Sequence, residues 1–380
     1  MASISFLTRC SLAVAVALAL AGCASTSAPA CAPSRLAYVG TDGGQVQALR
    51  LDACAGRLTD LGTVAQLTKS RWAVANPKLP ILYVADDVAG KDGTVVAYAV
   101  NRDSGALTKI NEAGAGGIGP THLWLDAPSS TLIAANFFSG SATSLAISAD
   151  GSVGAVASMV KETGSGPHKR QTKAHAHGIA LDPSGRHVLV SDLGADRVFV
   201  YAFDRATRAL APGDAANPPA FAVAPGSGPH HAAFAPDGRF VYLLDELSAD
   251  VQVLRWDSRA ARLSSVQTVA ISSDQYKGAK SGAEIAASRD GRFVYVEDRG
   301  ENTLVVYRAN ADTGELALLQ RVSSGGDKPW AFAIDPSGRW MLVANSAKVS
   351  LFKIDPATGA LSDTGQSVAS ATPLSIAFMP

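Results

Sequence analysis

The segment "AAFAPDGRFVYLLD", Ala232–Asp245, decides the fold because the chain repeats it. Close copies are "IALDPSGRHVLVSD" (Ile179–Asp192), "IAASRDGRFVYVED" (Ile285–Asp298) and "FAIDPSGRWMLVAN" (Phe332–Asn345). Each has an apolar run, a turn with Gly and usually Pro, and a second apolar run. The turn glycines are Gly185, Gly238, Gly291 and Gly338, so the steps are 53, 53 and 47 residues. Weaker copies lie upstream, "WAVANPKLPILYVAD" (Trp72–Asp86) and "LWLDAPSSTLIAAN" (Leu123–Asn136), and a half copy, "LAYVGT", begins at Leu36. A further alternating strand and turn follow each copy, as in "NTLVVYRANADTGEL" from Asn302. Units of about 45–50 residues holding four short strands predict propeller blades. Counting the half copy gives seven. "PLSIAFMP", Pro373–Pro380, reads as a lone first strand that pairs with "LAYVGT" and closes the ring, leaving no exposed edge. The expectation is an all-β, seven-bladed propeller with four-stranded blades over residues 35–380.

Composition agrees. Hydrophobic residues make up 47% of the 380, with 35 Gly and 19 Pro, as a turn-rich globular protein requires. The 33 Lys and Arg balance 33 Asp and Glu, which leaves no electrostatic footprint for nucleic acid.

The N-terminus reads differently. Arg9 precedes "SLAVAVALALA", Ser11–Ala21, an apolar run too short to span a bilayer, which takes about 20 residues, but suited to a signal-peptide core. "LAGC", Leu20–Cys23, then resembles a bacterial lipobox. That resemblance implies a signal peptide over 1–22, lipid on Cys23, and, with Ser25 two positions on, residence on the periplasmic side of the outer membrane. Residues 23–34 are expected to form a lipidated, flexible leash. Cys31 and Cys54 can pair in an oxidising compartment, at a gain of roughly 3 kcal/mol, or stay as inert thiols; a disulfide is the expectation.

In a propeller, the loop entering the first strand and the loop leaving the second open on one face. The first set holds His175, His177, "GPHH" (Gly228–His231), "AEI" (Ala283–Ile285) and "KPW" (Lys328–Trp330). The second holds "SDLGADR" (Ser191–Arg197), "LDELSAD" (Leu244–Asp250), "EDRGEN" (Glu297–Asn302) and "ANS" (Ala344–Ser346). Ionisable residues gather there, while the opposite turns carry generic Asp, Pro, Ser and Gly. This asymmetry predicts a pocket at one mouth of the channel. His175 and His177 share a face if the strand is regular. A metal, a substrate, or structural hydrogen bonding would each account for them. Neither HExxH nor a CxxC pair occurs, and no metal or cofactor is expected. His122 is expected to line the channel, and His168 and His187 to face solvent.

"AHAHGIALDPSGRHVLVSDLGADRVFVY", "GSGPHHAAFAPDGRFVYLLDEL" and "AEIAASRDGRFVYVEDRGEN" together resemble the lactonase family of seven-bladed propellers, which includes 6-phosphogluconolactonases and carboxy-muconate lactonising enzymes. The family pattern implies catalytic roles for His177, Glu246 and Arg299. It departs at His230, where the family has Arg in "GPRH", and at Trp330, where Arg often follows Pro. His230, His175, Glu284, Trp330 and Gln171 are the remaining candidates for contacting or supporting substrate. Opening a lactone takes an activated water and a donor for the oxyanion. A base, Glu246 or His177, is worth about 10²–10⁴-fold, and a fixed Arg299 about 10²–10³-fold. Losing two arginines points to an uncharged, sugar-type lactone. The expected molecule is a monomeric lactone hydrolase whose only membrane contact is its lipid. A non-catalytic binding propeller and a lactonising cycloisomerase are the alternatives. "GAGGIG" (Gly114–Gly119) opens no helix and reads as a loop, and "KGAKSG" (Lys277–Gly282) lacks the P-loop Gly-Lys-Ser/Thr.

Overall fold

A computed structural model describes residues 1–2, 34–212 and 219–380. The chain divides into two units, Met1–Cys31 and Ala32–Pro380, and every described strand belongs to the second. The signal peptide, Cys23, the leash up to residue 33 and Cys31 lie outside the described residues. Cys54 is a disulfide cysteine.

Strands β1 (Arg35–Thr41), β2 (Gln45–Asp52) and β3 (Arg57–Gln66) form the outer part of blade 1. Blade 2 is β4 (Ser70–Ala75), β5 (Ile81–Asp86), β6 (Asp92–Val100) and β7 (Leu107–Ile118). Blade 3 is β8 (Pro120–Asp126), β9 (Thr131–Asn136), β10 (Ser141–Ile147) and β11 (Val153–Lys161). Blade 4 contains β12 (Ala176–Leu181), β13 (His187–Asp192), β14 (Arg197–Asp204), β15 (Ala209–Pro212) and β16 (Ala220–Ala222). Blade 5 is β17 (Pro229–Phe234), β18 (Phe240–Asp245), β19 (Asp250–Asp257) and β20 (Arg262–Ala270). Blade 6 is β21 (Gly282–Ala287), β22 (Phe293–Asp298), β23 (Thr303–Ala309) and β24 (Leu316–Ser323). Blade 7 is β25 (Ala331–Ile334), β26 (Trp340–Asn345), β27 (Lys348–Ile354) and β28 (Leu361–Ala369). The last strand, β29 (Pro373–Phe378), pairs antiparallel with β1, from Ala37↔Phe378 to Thr41↔Pro373, and becomes the inner strand of blade 1. Inner strands touch in the cyclic order β29, β4, β8, β12, β17, β21, β25 and back to β29, so seven blades close one ring.

The blades are four-stranded and antiparallel as expected; in blade 4 two described pieces, β15 and β16, on either side of residues 213–218, both pair with β14 and share the outer position. One sequence expectation changes. "GAGGIG" is not a loop: Gly114–Ile118 ends β7 and pairs with β6.

Burial follows layer position. Second strands such as β5, β9, β18, β22 and β26 are buried at all six positions, because neighbouring blades cover both faces. Outer strands such as β28 alternate between exposed and partly buried residues, the period of a half-covered strand. In two copies the turn is held by its own first residue, an Asp. Asp182 Oδ1 accepts from the backbone N–H groups of Arg186 (2.8 Å) and His187 (2.9 Å), and Asp335 Oδ1 repeats this with Arg339 (3.0 Å) and Trp340 (2.9 Å). The turn glycines take φ of +70 to +71°, a conformation that penalises a Cβ.

Candidate active site

The inner strands of blades 2 to 5 share one irregularity at the same end. Ser70 pairs with Asp86 and Trp72 with Ala85, leaving Arg71 between them. The same slip isolates Thr121 in β8, His177 in β12 and His230 in β17. In β29 it isolates Leu374. A bulge leaves one residue unpaired and re-aims its side chain. All five of these residues line a single cavity of about 380 Å³. The slip in β21 behaves differently, for Glu284 does not line that cavity.

Loops complete the wall. Glu246 follows β18, Arg299 follows β22, and Phe137 and Phe138 follow β9. Arg170 enters from the segment between β11 and β12. Glu246 is the electrostatic centre. Arg170 donates from Nη1 to Glu246 Oε1 (2.6 Å) and from Nη2 to Oε2 (3.3 Å), and Arg299 donates from Nη2 to Oε1 (2.6 Å). Ser281 Oγ holds Arg299 at Nε (3.0 Å) and Nη2 (2.9 Å), and the guanidinium lies 4.2 Å from the Trp330 ring centroid. Arg71 donates to Thr121 Oγ1 at 3.2 Å.

Imidazoles form the floor. The His177 and His230 rings lie 3.7 Å apart, and His231 lies 4.3 Å from His230 and 5.3 Å from His177. Burial first, and neighbouring imidazole and guanidinium groups second, hold His177 and His230 well below the ordinary histidine value. Both are therefore neutral. Glu284 Oε1 sits 3.0 Å from His231 Nδ1 and fixes that ring from below. His122 packs against Trp72 and His231, and its Nδ1 accepts from the Ile179 backbone N–H at 3.2 Å.

Of the sequence candidates, His177, Glu246, Arg299, His230 and Trp330 meet in the cavity. Three do not. His175 stacks on Phe137 (4.4 Å, 15°) and its Nδ1 meets the Phe137 carbonyl at 3.0 Å, so it shapes the wall from behind. Gln171 is buried and anchors a loop through Leu193 O (2.8 Å) and Asp196 Oδ1 (2.6 Å). Glu284 supports His231. His168 and His187 are partly buried rather than fully solvent-facing. Sequence reasoning missed Arg71 and Arg170. They supply the positive charge that its two lost arginines seemed to remove, so the argument for an uncharged substrate no longer stands.

A closed ring of seven blades with a polar, arginine-rich mouth defines an enzyme-like propeller of the lactonase type. The chain belongs to the Lactonase family of 7-bladed beta-propellers, whose model matches residues 34–378. It is 31% identical over 350 residues to a 6-phosphogluconolactonase of Bacillus subtilis, covering 90% of this chain and 98% of that protein. The solved periplasmic gluconolactonase of Pseudomonas aeruginosa is 31% identical with a TM-score of 0.84, covering 91% of this chain and 99% of the other. A Lactobacillus plantarum protein of known structure has the same TM-score, 0.84, at 28% identity, over 91% of this chain and all of that one.

Proposed function

We propose that this protein is a lactone hydrolase acting on a sugar-type lactone at the mouth cavity. The observation that carries this reading is the meeting of neutral His177, Glu246 and three arginines in one concave site. A neutral imidazole accepts a proton, whereas both Glu246 oxygens are already engaged by guanidinium groups. This division favours His177 as base and Glu246 as the group that holds Arg170 and Arg299. In the reaction His177 takes a proton from water as its oxygen bonds to the lactone carbonyl carbon. Arg299 stabilises the resulting oxyanion. The ring C–O bond then breaks, and the leaving oxygen takes the proton back, giving the hydroxy acid. Names of relatives support the substrate class. With Arg71 and Arg170 present, a phosphorylated lactone fits as well as a neutral one. We also infer a monomeric, exported lipoprotein held through Cys23 on the periplasmic side of the outer membrane. The "LAGC" motif supports this, as does the periplasmic relative.

A pH-stat assay of gluconolactone and its 6-phosphate tests the activity. Turnover above spontaneous opening is expected, lower by about 10²–10³-fold in Arg299→Ala and by about 10²–10⁴-fold in His177→Gln. A folded protein that opens neither lactone, nor others of a small panel, would falsify the proposal.

A further inference from the structure

The hydrolytic reading uses one member, His177, of a three-imidazole cluster in the cavity; an ion on that ring would occupy the nitrogen that takes the proton, so hydrolysis through His177 belongs to the metal-free protein. One ring nitrogen from each of His177, His230 and His231 lies within 4.8 Å of the others. Independently, each ring carries a buried nitrogen without a hydrogen-bond partner: Nδ1 of His177, Nδ1 of His230 and Nε2 of His231. An unpaired buried nitrogen on each of three neighbouring imidazoles is costly, because a buried polar atom that is not paired loses its hydration without compensation. The third ring is oriented from outside the cluster by a carboxylate, through the 3.0 Å contact between Glu284 Oε1 and His231 Nδ1. A histidine whose other nitrogen donates to a carboxylate is the usual support of a metal ligand.

We propose that His177, His230 and His231 form a three-histidine site for a divalent first-row transition ion of the zinc class, with its fourth position open to the cavity. This departs from the sequence expectation of no metal, in which His230 and His231 could join His175 and His177 across blades but neither HExxH nor a carboxylate-rich cluster supported a site. His175 turns away to Phe137, and His177, His230 and His231 remain together.

The donor set fits the ion. Three neutral nitrogens with one vacant position are the pattern of an open zinc site, and imidazole prefers zinc, copper or nickel over magnesium or calcium. Zinc–nitrogen bonds of about 2.0–2.1 Å put tetrahedral ligand atoms about 3.3 Å apart, so the rings close inward on binding. Charges around the cluster act both ways. Arg71, Arg170 and Arg299 oppose a cation. Glu284 and Glu246, whose Oε2 lies 3.8 Å from His230 Nε2, offset them. The guanidinium groups that line the same cavity favour an anionic fourth ligand.

The test uses the full chain, stripped with EDTA and desalted, and titrated with zinc chloride against a chromogenic chelator. Cobalt(II) serves as a spectroscopic substitute. One ion per chain is expected, with the visible bands of four-coordinate cobalt, and no comparable binding of magnesium. His177→Gln and His231→Gln should abolish binding in the same concentration range. Glu284→Gln should weaken it about 10–100-fold; it keeps all three rings and stays informative if a histidine variant misfolds. Failure of zinc to bind stoichiometrically, or binding indifferent to all three substitutions, overturns the site. No lactone enters the titration, so its failure leaves the hydrolase proposal standing, and an absence of turnover leaves the metal site standing.

Discussion

Glu246→Gln removes one negative charge from between two guanidinium groups that differ in exposure. The Glu246 side chain is 3% exposed, Arg299 is 12% exposed and Arg170 is 42% exposed. Removing one partner of a buried ion pair costs roughly 3–5 kcal/mol, because the other charge is left uncompensated. The Arg299 pair sits at the lower end, about 3 kcal/mol, since that guanidinium keeps some contact with water. The Arg170 pair is solvent-screened and adds at most about 1 kcal/mol. Unfolding entropy near 2.1 cal/mol/K per residue, over residues 35–380, amounts to about 0.7 kcal/mol/K, so the loss lowers Tm by about 4–6 °C. The assay is a pair of double-mutant cycles read by thermal and denaturant unfolding, with Arg299→Ala in one and Arg170→Ala in the other. Coupling to Glu246 should be at least twice as large for Arg299. Activity should fall about 10²-fold in Glu246→Gln, the effect of displacing Arg299 by about 1 Å. A Tm within 1 °C of the parent, or a coupling to Arg170 equal to that for Arg299, refutes Glu246 as the centre of the arginine cluster.

Three further outcomes are expected. A Cβ on Gly178 would stand 2.3 Å from the His230 carbonyl oxygen and 2.9 Å from His231 Cδ2. Gly178→Ala should therefore destabilise by about 1–3 kcal/mol and lower kcat/KM, and parental values for both would show that the inner strands do not fix the histidines. Burial, ahead of nearby carboxylates, raises Asp245 to about 7, while Gln252 Nε2 holds its Oδ2 at 2.5 Å. The folded state keeps a proton that the unfolded chain releases above about 3.8, so stability falls as pH rises between these values and levels off beyond 7. Asp245→Asn, which mimics the protonated acid, should gain on the parent by up to about 1.4 kcal/mol per pH unit over that interval, and a constant difference from pH 4 to 7 in urea unfolding counts against it. Metabolic labelling with a radioactive fatty acid should mark the parent in bacterial membranes and not Cys23→Ser; equal labelling of both would remove the lipobox reading.

The blades were legible because their signal is local and repeated. The turn Gly recurs in all four close copies and Pro in three, and in two of them the Asp182 and Asp335 carboxylates close the turn by taking two backbone donors each. The loops that hold Glu246, Arg299 and Trp330 were legible from their place in the repeat, and the resemblance to the lactonase family singled out these residues within them. Arg170 was marked by neither. It sits in a long segment without periodicity, where nothing marks one residue over the next. Its neighbour Gln171 stands among the sequence candidates for contacting or supporting substrate. Gln171 instead anchors the segment, accepting at Oε1 from the His168 backbone N–H (3.0 Å) and donating to Leu193 O and Asp196 Oδ1. The residue that looked functional is thus what presents the arginine that is. Arg71 stayed hidden for another reason. Its blade lacks the Pro-Ser-Gly turn, so the copy around it is weak.

The histidines show where alternation fails. Residues i and i+2 share a face only while the register holds. In β12 the register slips between Ala176 and Gly178, so His175 and His177 part. His175 goes to the back of Phe137 and His177 into the cavity. In β17 the same slip lets adjacent residues, which a regular strand would send to opposite faces, reach one place: His230 and His231 both line the cavity. Both "GPTH" (Gly119–His122) and "GPHH" (Gly228–His231) put a Pro immediately before the bulged residue. Proline lacks the N–H that an inner ladder would use, and so fits a point where pairing lapses. The Pro-x-His spacing thus marks two of the five bulges, at Thr121 and His230. A bulge costs one ladder position, and here the same loss in five inner strands turns five side chains into one cavity.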